Sequence, residues 1–247
     1  MKRIKRRAWV IVLAFFVLSS FGCRNASHTE KPAVSESVSR TLEATQPTTV
    51  ETVPMLLPHN LSETRTEKIT HVVLHFSSSV VRKPEQPFLV EDIIDIFKDY
   101  QVSAHYLIAR DGQIYQLVSE DRVAYHAGKG SLDGYPEYAD RLNQYSIGIE
   151  MLAIGTKDEM STLIHGDVYD SLPDGYIGYT QAQYIALNKL LDSLLTRHLD
   201  IKKDKNHIIG HDEYAKNRKT DPGCLIGQKS GCKDKMIKAI GFIILSL

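Results

Sequence analysis

From about residue 65 the chain alternates short apolar, β-branched runs with segments of helical period, and that alternation restricts it to an α/β fold. Residues 69–76 (ITHVVLHF) form one such run and end in Ser77-Ser78-Ser79, which predicts a buried strand that opens onto a polar loop. Residues 90–100 carry apolar side chains at 90, 93, 94, 97 and 100 with acids early, the pattern of a helix with one core-facing stripe. Residues 104–109 and 114–118 flank Arg110-Asp111-Gly112-Gln113 and predict a hairpin closed by an Asp-Gly turn. Residues 145–152 (YSIGIEML) and 207–210 are further strand candidates. Thr180 and Gln183 have capping-box spacing and open the longest helix, whose Tyr184, Leu187, Leu191, Leu194 and Leu195 share a broad face. Residues 155–178 hold no convincing period and read as an insertion loop of the kind that carries function.

The ends of the chain read differently. Residues 1–23 combine five cations in the first seven positions with about eleven apolar residues, too short a run for a spanning helix of roughly 20 and suited to a signal peptide. Gly22-Cys23 resembles the end of a lipoprotein signal, so Cys23 is the expected lipid attachment point and the membrane an expected partner. Arg24 offers no aspartate retention signal, so the outer membrane is the expected destination in a cell that has two. Residues 24–60, rich in Ser, Thr, Glu and Pro, read as a flexible tether, leaving 61–247 as the folded domain. The 30 Lys and Arg balance 30 Asp and Glu, but without the five N-terminal cations 25 face 30, a net of −5. A mildly acidic body argues against nucleic acid as a partner. Nothing demands more than a monomer. With Cys23 modified, Cys224 and Cys232 remain, and in an oxidising compartment a local disulfide is the expected pairing.

Ten histidines are too many to read singly, so the useful ones are those at strand ends beside polar loops. His75 ends the first strand, His211 follows the last, and Asp221 comes ten residues after His211. Two imidazoles and a carboxylate with one position left open are the ligand set of a hydrolytic zinc site. Spacing alone leaves the ordinary alternative, satisfied polar side chains at strand ends, open.

Four stretches taken together are more specific: VVLHFSSS at 72–79, VSAHYLIARDGQIYQLV at 102–118, AYHAG at 124–128 with NQYSIGIEM at 143–151, and IIGHDEYAKNRKTDPG at 208–223. In order and wording they resemble the N-acetylmuramoyl-L-alanine amidase type 2 family, whose fold is shared with peptidoglycan recognition proteins. The resemblance implies a central mixed β-sheet flanked by helices, Zn²⁺ as cofactor and peptidoglycan or muropeptide as substrate. It implies that His75, His211 and Asp221 are the metal ligands, that Glu150 is the general base, and that Lys219 is the cation that stabilises the oxyanion. His126 and Asn143 fall at substrate-contact positions, and Tyr125 stands where relatives often carry tryptophan. The sequence sides with the muropeptide amidase branch, because the phage-lysozyme branch has a tyrosine at the place of Ala104 and no counterpart of Glu150. Cys224 is a weaker ligand candidate, since the phage-type offset from His211 falls on Lys219. The implied activity is hydrolysis of the amide between N-acetylmuramic acid and L-Ala; the alternative is a receptor that binds wall fragments without cutting them, which has no need of a full ligand set plus Glu150.

Overall fold

The computed structural model describes residues 50–223. The lipid-attachment candidate Cys23, the signal and most of the tether, Cys224, Cys232 and the apolar C-terminal end lie outside them. The strands are β1 (Val53–Pro54), β2 (Ser62–Thr64), β3 (His71–Ser77), β4 (Tyr106–Ile108), β5 (Ile114–Gln116), β6 (Arg122–Ala124), β7 (Ser146–Leu152) and β8 (Ile208–Gly210). The helices are α1 (Val90–Tyr100), α2 (Leu142–Tyr145), α3 (Lys157–Met160), α4 (Gly166–Asp170), α5 (Gln181–Arg197) and α6 (His211–Tyr214).

Six strands form a mixed sheet in the order β1-β5-β4-β7-β3-β8, and β2 pairs with β6 in a separate two-stranded sheet. The β4–β5 pair is the predicted antiparallel hairpin, while β4, β7, β3 and β8 run parallel. Such central strands are buried on both faces, which is why β7 has no exposed residue. The pleat sorts their side chains. Val72 and Leu74 of β3, with Ile147, Ile149 and Met151 of β7, pack against Tyr184, Leu187, Leu190, Leu191 and Leu194 of α5. Their alternates, His75 and Glu150 among them, take the opposite face, where Val90, Ile93, Ile94 and Phe97 of α1 cover Leu107 and Leu152.

The capping box of α5 forms as expected, with Gln183 N–H donating to the Thr180 hydroxyl and the Gln183 carboxamide receiving the Thr180 N–H. Two expectations change. The stretch assigned to the tether up to residue 60 already contains β1, which pairs parallel with β5, and Met55 and Leu57 donate backbone hydrogen bonds to Gln116 and Leu117. A two-residue strand is too short to display a period. The insertion at 155–178 is also not a bare loop, since it holds α3 and α4, and Met160 and Leu172 bury themselves with Val80 and Ile154. Helices of one turn never complete the repeat that would reveal them in a sequence. Arg110 sits in the hairpin turn as expected and also reaches from it to the carbonyls of Leu152, Gly175 and Gly178, which fastens the insertion to the sheet.

Candidate metal centre and its cleft

The register of the parallel strands builds the site. His75 of β3 is the direct partner of Glu150 of β7, so the two side chains stand beside each other on the face away from α5. On the other flank of β3, Val73 pairs with Ile209 and Leu74 with Gly210, which brings His211, the next residue, level with His75. The chain then loops back to place Asp221, anchored by the Asp212 N–H donating to the Asp221 carbonyl at 2.8 Å and by the Tyr179 hydroxyl donating to the Pro222 carbonyl at 2.7 Å.

Three atoms converge there. His75 Nδ1 and His211 Nδ1 are 3.0 Å apart, and each lies 2.9 Å from Asp221 Oδ2. Among the described residues this is the group of ligand-type side chains whose atoms could hold one metal ion. The donor set fits a cation on chemical grounds. His211 commits its Nε2–H to the Ala127 carbonyl at 2.9 Å, which leaves the Nδ1 lone pair facing Asp221 and His75. Desolvation lowers the His211 pKa, keeping that ring neutral. Burial would raise the Asp221 pKa, but the positive charge that His211 and His75 can carry outweighs it and holds Asp221 well below the usual carboxylate range, so this carboxylate is placed to face positive charge. A neutral imidazole and an ionised carboxylate are what zinc takes, and protein ligands of this number leave a tetrahedral position open.

The cluster lines a cleft of about 310 Å³. Glu150 and Lys219 line it together with the three ligand candidates. The Glu150 carboxylate is buried, and its Oε2 accepts a 2.5 Å hydrogen bond from Ser77. Val102 and Tyr125 also line it, as do Thr162 and Leu163 of the insertion, with Leu163 55% exposed. Sequence reasoning passed over Ser77, although a hydroxyl two positions after a strand histidine lies on the same face of the strand.

The two residues expected to touch substrate have other partners. His126 lines the cleft but is buried behind His75, with its Nδ1 3.1 Å from His75 Nε2, and desolvation lowers its pKa well below the ordinary histidine value. Asn143 is not part of the cleft lining. Its Oδ1 accepts from the backbone N–H groups of His126 and Ala127, at 3.1 and 2.8 Å. His105 and His71, read as structural, are fully buried, and His105 Nδ1 accepts from the Gly148 N–H.

Comparison with known proteins bears on the family and the fold. Residues 65–224 match the profile of the N-acetylmuramoyl-L-alanine amidase family. The chain is 32% identical over 173 residues to the 1,6-anhydro-N-acetylmuramyl-L-alanine amidase AmpD of Escherichia coli (strain K12), covering 70% of this chain and 77% of that protein. To the AmpD of Citrobacter freundii it is 38% identical over 123 residues, where the match spans 50% of this chain and about half, 51%, of the relative. Among solved structures, a selenomethionine derivative of AmpD superposes with a TM-score of 0.54 at 30% identity, covering 73% of this chain and 92% of that one. The E. coli amidase AmiD, solved with the substrate anhydro-N-acetylmuramic acid-L-Ala-D-γ-Glu-L-Lys, gives 0.50 at 26% identity over 70% of this chain and 58% of that one. With the family's profile spanning most of the chain and its motifs gathered around one cleft, the protein belongs to the N-acetylmuramoyl-L-alanine amidase family.

Proposed function

We propose that this chain is a zinc-dependent amidase that hydrolyses the amide between the lactyl group of N-acetylmuramic acid and the L-Ala of the stem peptide in peptidoglycan fragments. The observation that carries this reading is the convergence of His75, His211 and Asp221 within 3.0 Å in a cleft that Glu150 also lines. Zn²⁺ held by these three would polarise the amide carbonyl and bring the pKa of a water from about 15.7 toward 7. Glu150 accepts a proton from the attacking water as the new carbon–oxygen bond forms, then delivers it to the L-Ala nitrogen as the carbon–nitrogen bond breaks. Lys219 offsets the negative charge that builds on the carbonyl oxygen. Tyr125, Val102 and Leu163 offer apolar surface to the sugar and lactyl groups. The names of the AmpD relatives and the substrate bound to AmiD support a muropeptide, anhydro forms included.

The basic head, the short apolar run and Gly22-Cys23 support export and a lipid anchor at Cys23, so the domain would work at the cell envelope as a monomer.

Mass spectrometry of anhydro-muropeptides incubated with the protein tests the reading. Stem peptide beginning at L-Ala is expected to appear, to vanish with a chelator and to return with Zn²⁺. Glu150→Gln is expected to keep its zinc and lose about 10²–10⁴-fold in kcat. Tight binding of uncut muropeptide by the zinc-loaded protein would instead make it a receptor.

A further inference from the structure

Hydrogen-bond direction can be followed from the sheet into the ligand cluster. The Ser146 hydroxyl donates to the Leu142 carbonyl at 2.6 Å, so its single proton is committed. His126 Nε2, 3.2 Å from the same oxygen, must therefore carry the proton of that contact and donate it. A neutral His126 protonated at Nε2 has a bare Nδ1, which accepts from His75 Nε2 at 3.1 Å. With its proton at Nε2, His75 presents an unprotonated Nδ1 to His211 and Asp221, the form a metal ligand needs.

The neighbouring motif residues hold this arrangement in place. Gly148 is directly under the His126 ring, and a Cβ there would lie 2.4 Å from His126 Cγ, so no other residue fits without displacing the ring. Asn143 Oδ1 ties down the backbone of both His126 and Ala127. The same turn thus orients both imidazoles: the His126 side chain orients His75, and the Ala127 carbonyl orients His211 through its Nε2–H.

We propose that His126 is a positioning residue that fixes the tautomer and ring orientation of His75 through the chain Leu142–Ser146–His126–His75, and that Asn143 is its scaffold. This rests on the metal-site part of the proposed function and goes beyond it, because it moves His126 and Asn143 from substrate contact to metal-site support. Outer hydrogen bonds of this kind are worth about 10- to 100-fold in metal affinity.

The test is the zinc affinity of the purified full chain, measured by competition with a chromophoric chelator. His126→Ala is expected to weaken zinc binding about 10- to 100-fold with the thermal transition of the apo-protein retained. His126→Asn, which restores an acceptor near the place of Nδ1, is expected to recover part of the loss. If His126→Ala fails to fold, Ser146→Ala reads the same chain one step back, and a smaller loss of affinity is expected. Wild-type zinc affinity in a folded His126→Ala protein, with only KM raised, would restore His126 to the substrate and overturn the proposal. So would a wild-type chain that takes up no zinc. A wild-type chain that binds zinc but cleaves no muropeptide, while His126→Ala binds it weakly, would uphold the positioning role and defeat the amidase reading alone.

Discussion

Asp221 and Glu120 are both carboxylates drawn into the protein and met by imidazole, but their charges are balanced in different ways. Glu120 accepts from Arg197 at 2.6 Å, from His198 Nε2 at 2.5 Å and from the Tyr106 hydroxyl. Burial would push its pKa up, but those three donors outweigh it and hold the carboxyl at about 2. Asp221 pairs with His75 and His211 instead, and an uncharged imidazole cannot cancel a charge. One cluster carries its own guanidinium and joins the end of α5 to β4. The other has no such cation among its described partners and is the cluster that could hold a metal ion. A buried carboxylate with a built-in cation reads as architecture, and one without reads as a binding site.

The largest expected effect tests that second cluster. Asp221→Asn is expected to abolish zinc uptake and turnover while the metal-free protein stays folded, its melting temperature lowered by no more than the loss of the Asp221–imidazole contacts. A calorimetric scan of the metal-free pair checks this, and a marked fall in melting temperature would make Asp221 structural after all. Glu120→Gln should act the other way. Activity of the folded protein persists, but stability falls by about 1–3 kcal/mol, a value reduced from that of a fully buried pair because the cluster is partly exposed.

The same pair predicts a pH dependence. The folded pKa of Glu120 lies below the ordinary value, so its contribution is complete above about pH 4.5 and is lost as pH falls toward about 2. In urea unfolding, wild type and Glu120→Gln should therefore converge in stability across that window; a gap that stays constant would show that the ion pair is not its source.

Glu150 is a third kind of carboxylate, buried yet fixed by one neutral hydroxyl rather than by cations. Ser77 engages Oε2, and on the proposed mechanism Oε1 would take the proton of the water. The smallest of these effects belongs here. Ser77→Ala should lower kcat about tenfold with KM nearly constant, the scale of one hydrogen bond to a charged group, and Ser77→Thr should recover most of it. A loss confined to KM would place Ser77 in substrate binding.

Much of this was legible in the residues. The buried strands, the 90–100 helix, the capped helix after Thr180 and the hairpin are stated locally, because apolar period and cap chemistry act over a few positions. His75, His211 and Asp221 could be nominated from their residue types and places at strand ends. What could not be read was direction. Asn143 looked like a cleft residue in its motif, yet its carboxamide turns to the backbone of residues 126 and 127. Residues 53–60 and 155–178 looked unstructured because their elements are shorter than one period.

The sequence by itself determined an α/β domain and its principal helices and strands, since each depends on residue type and near-neighbour spacing, and it nominated His75, His211 and Asp221 as candidate ligands from their residue types and places. Only the tertiary structure decided that His75 stands beside Glu150, that Ser77 holds one oxygen of that carboxylate, and that a single turn orients both imidazoles. These depend on strand register and on which nitrogen carries a proton. Both are settled by partners far away in the chain, at separations of 73 residues for Ser77 and Glu150 and 136 for His75 and His211.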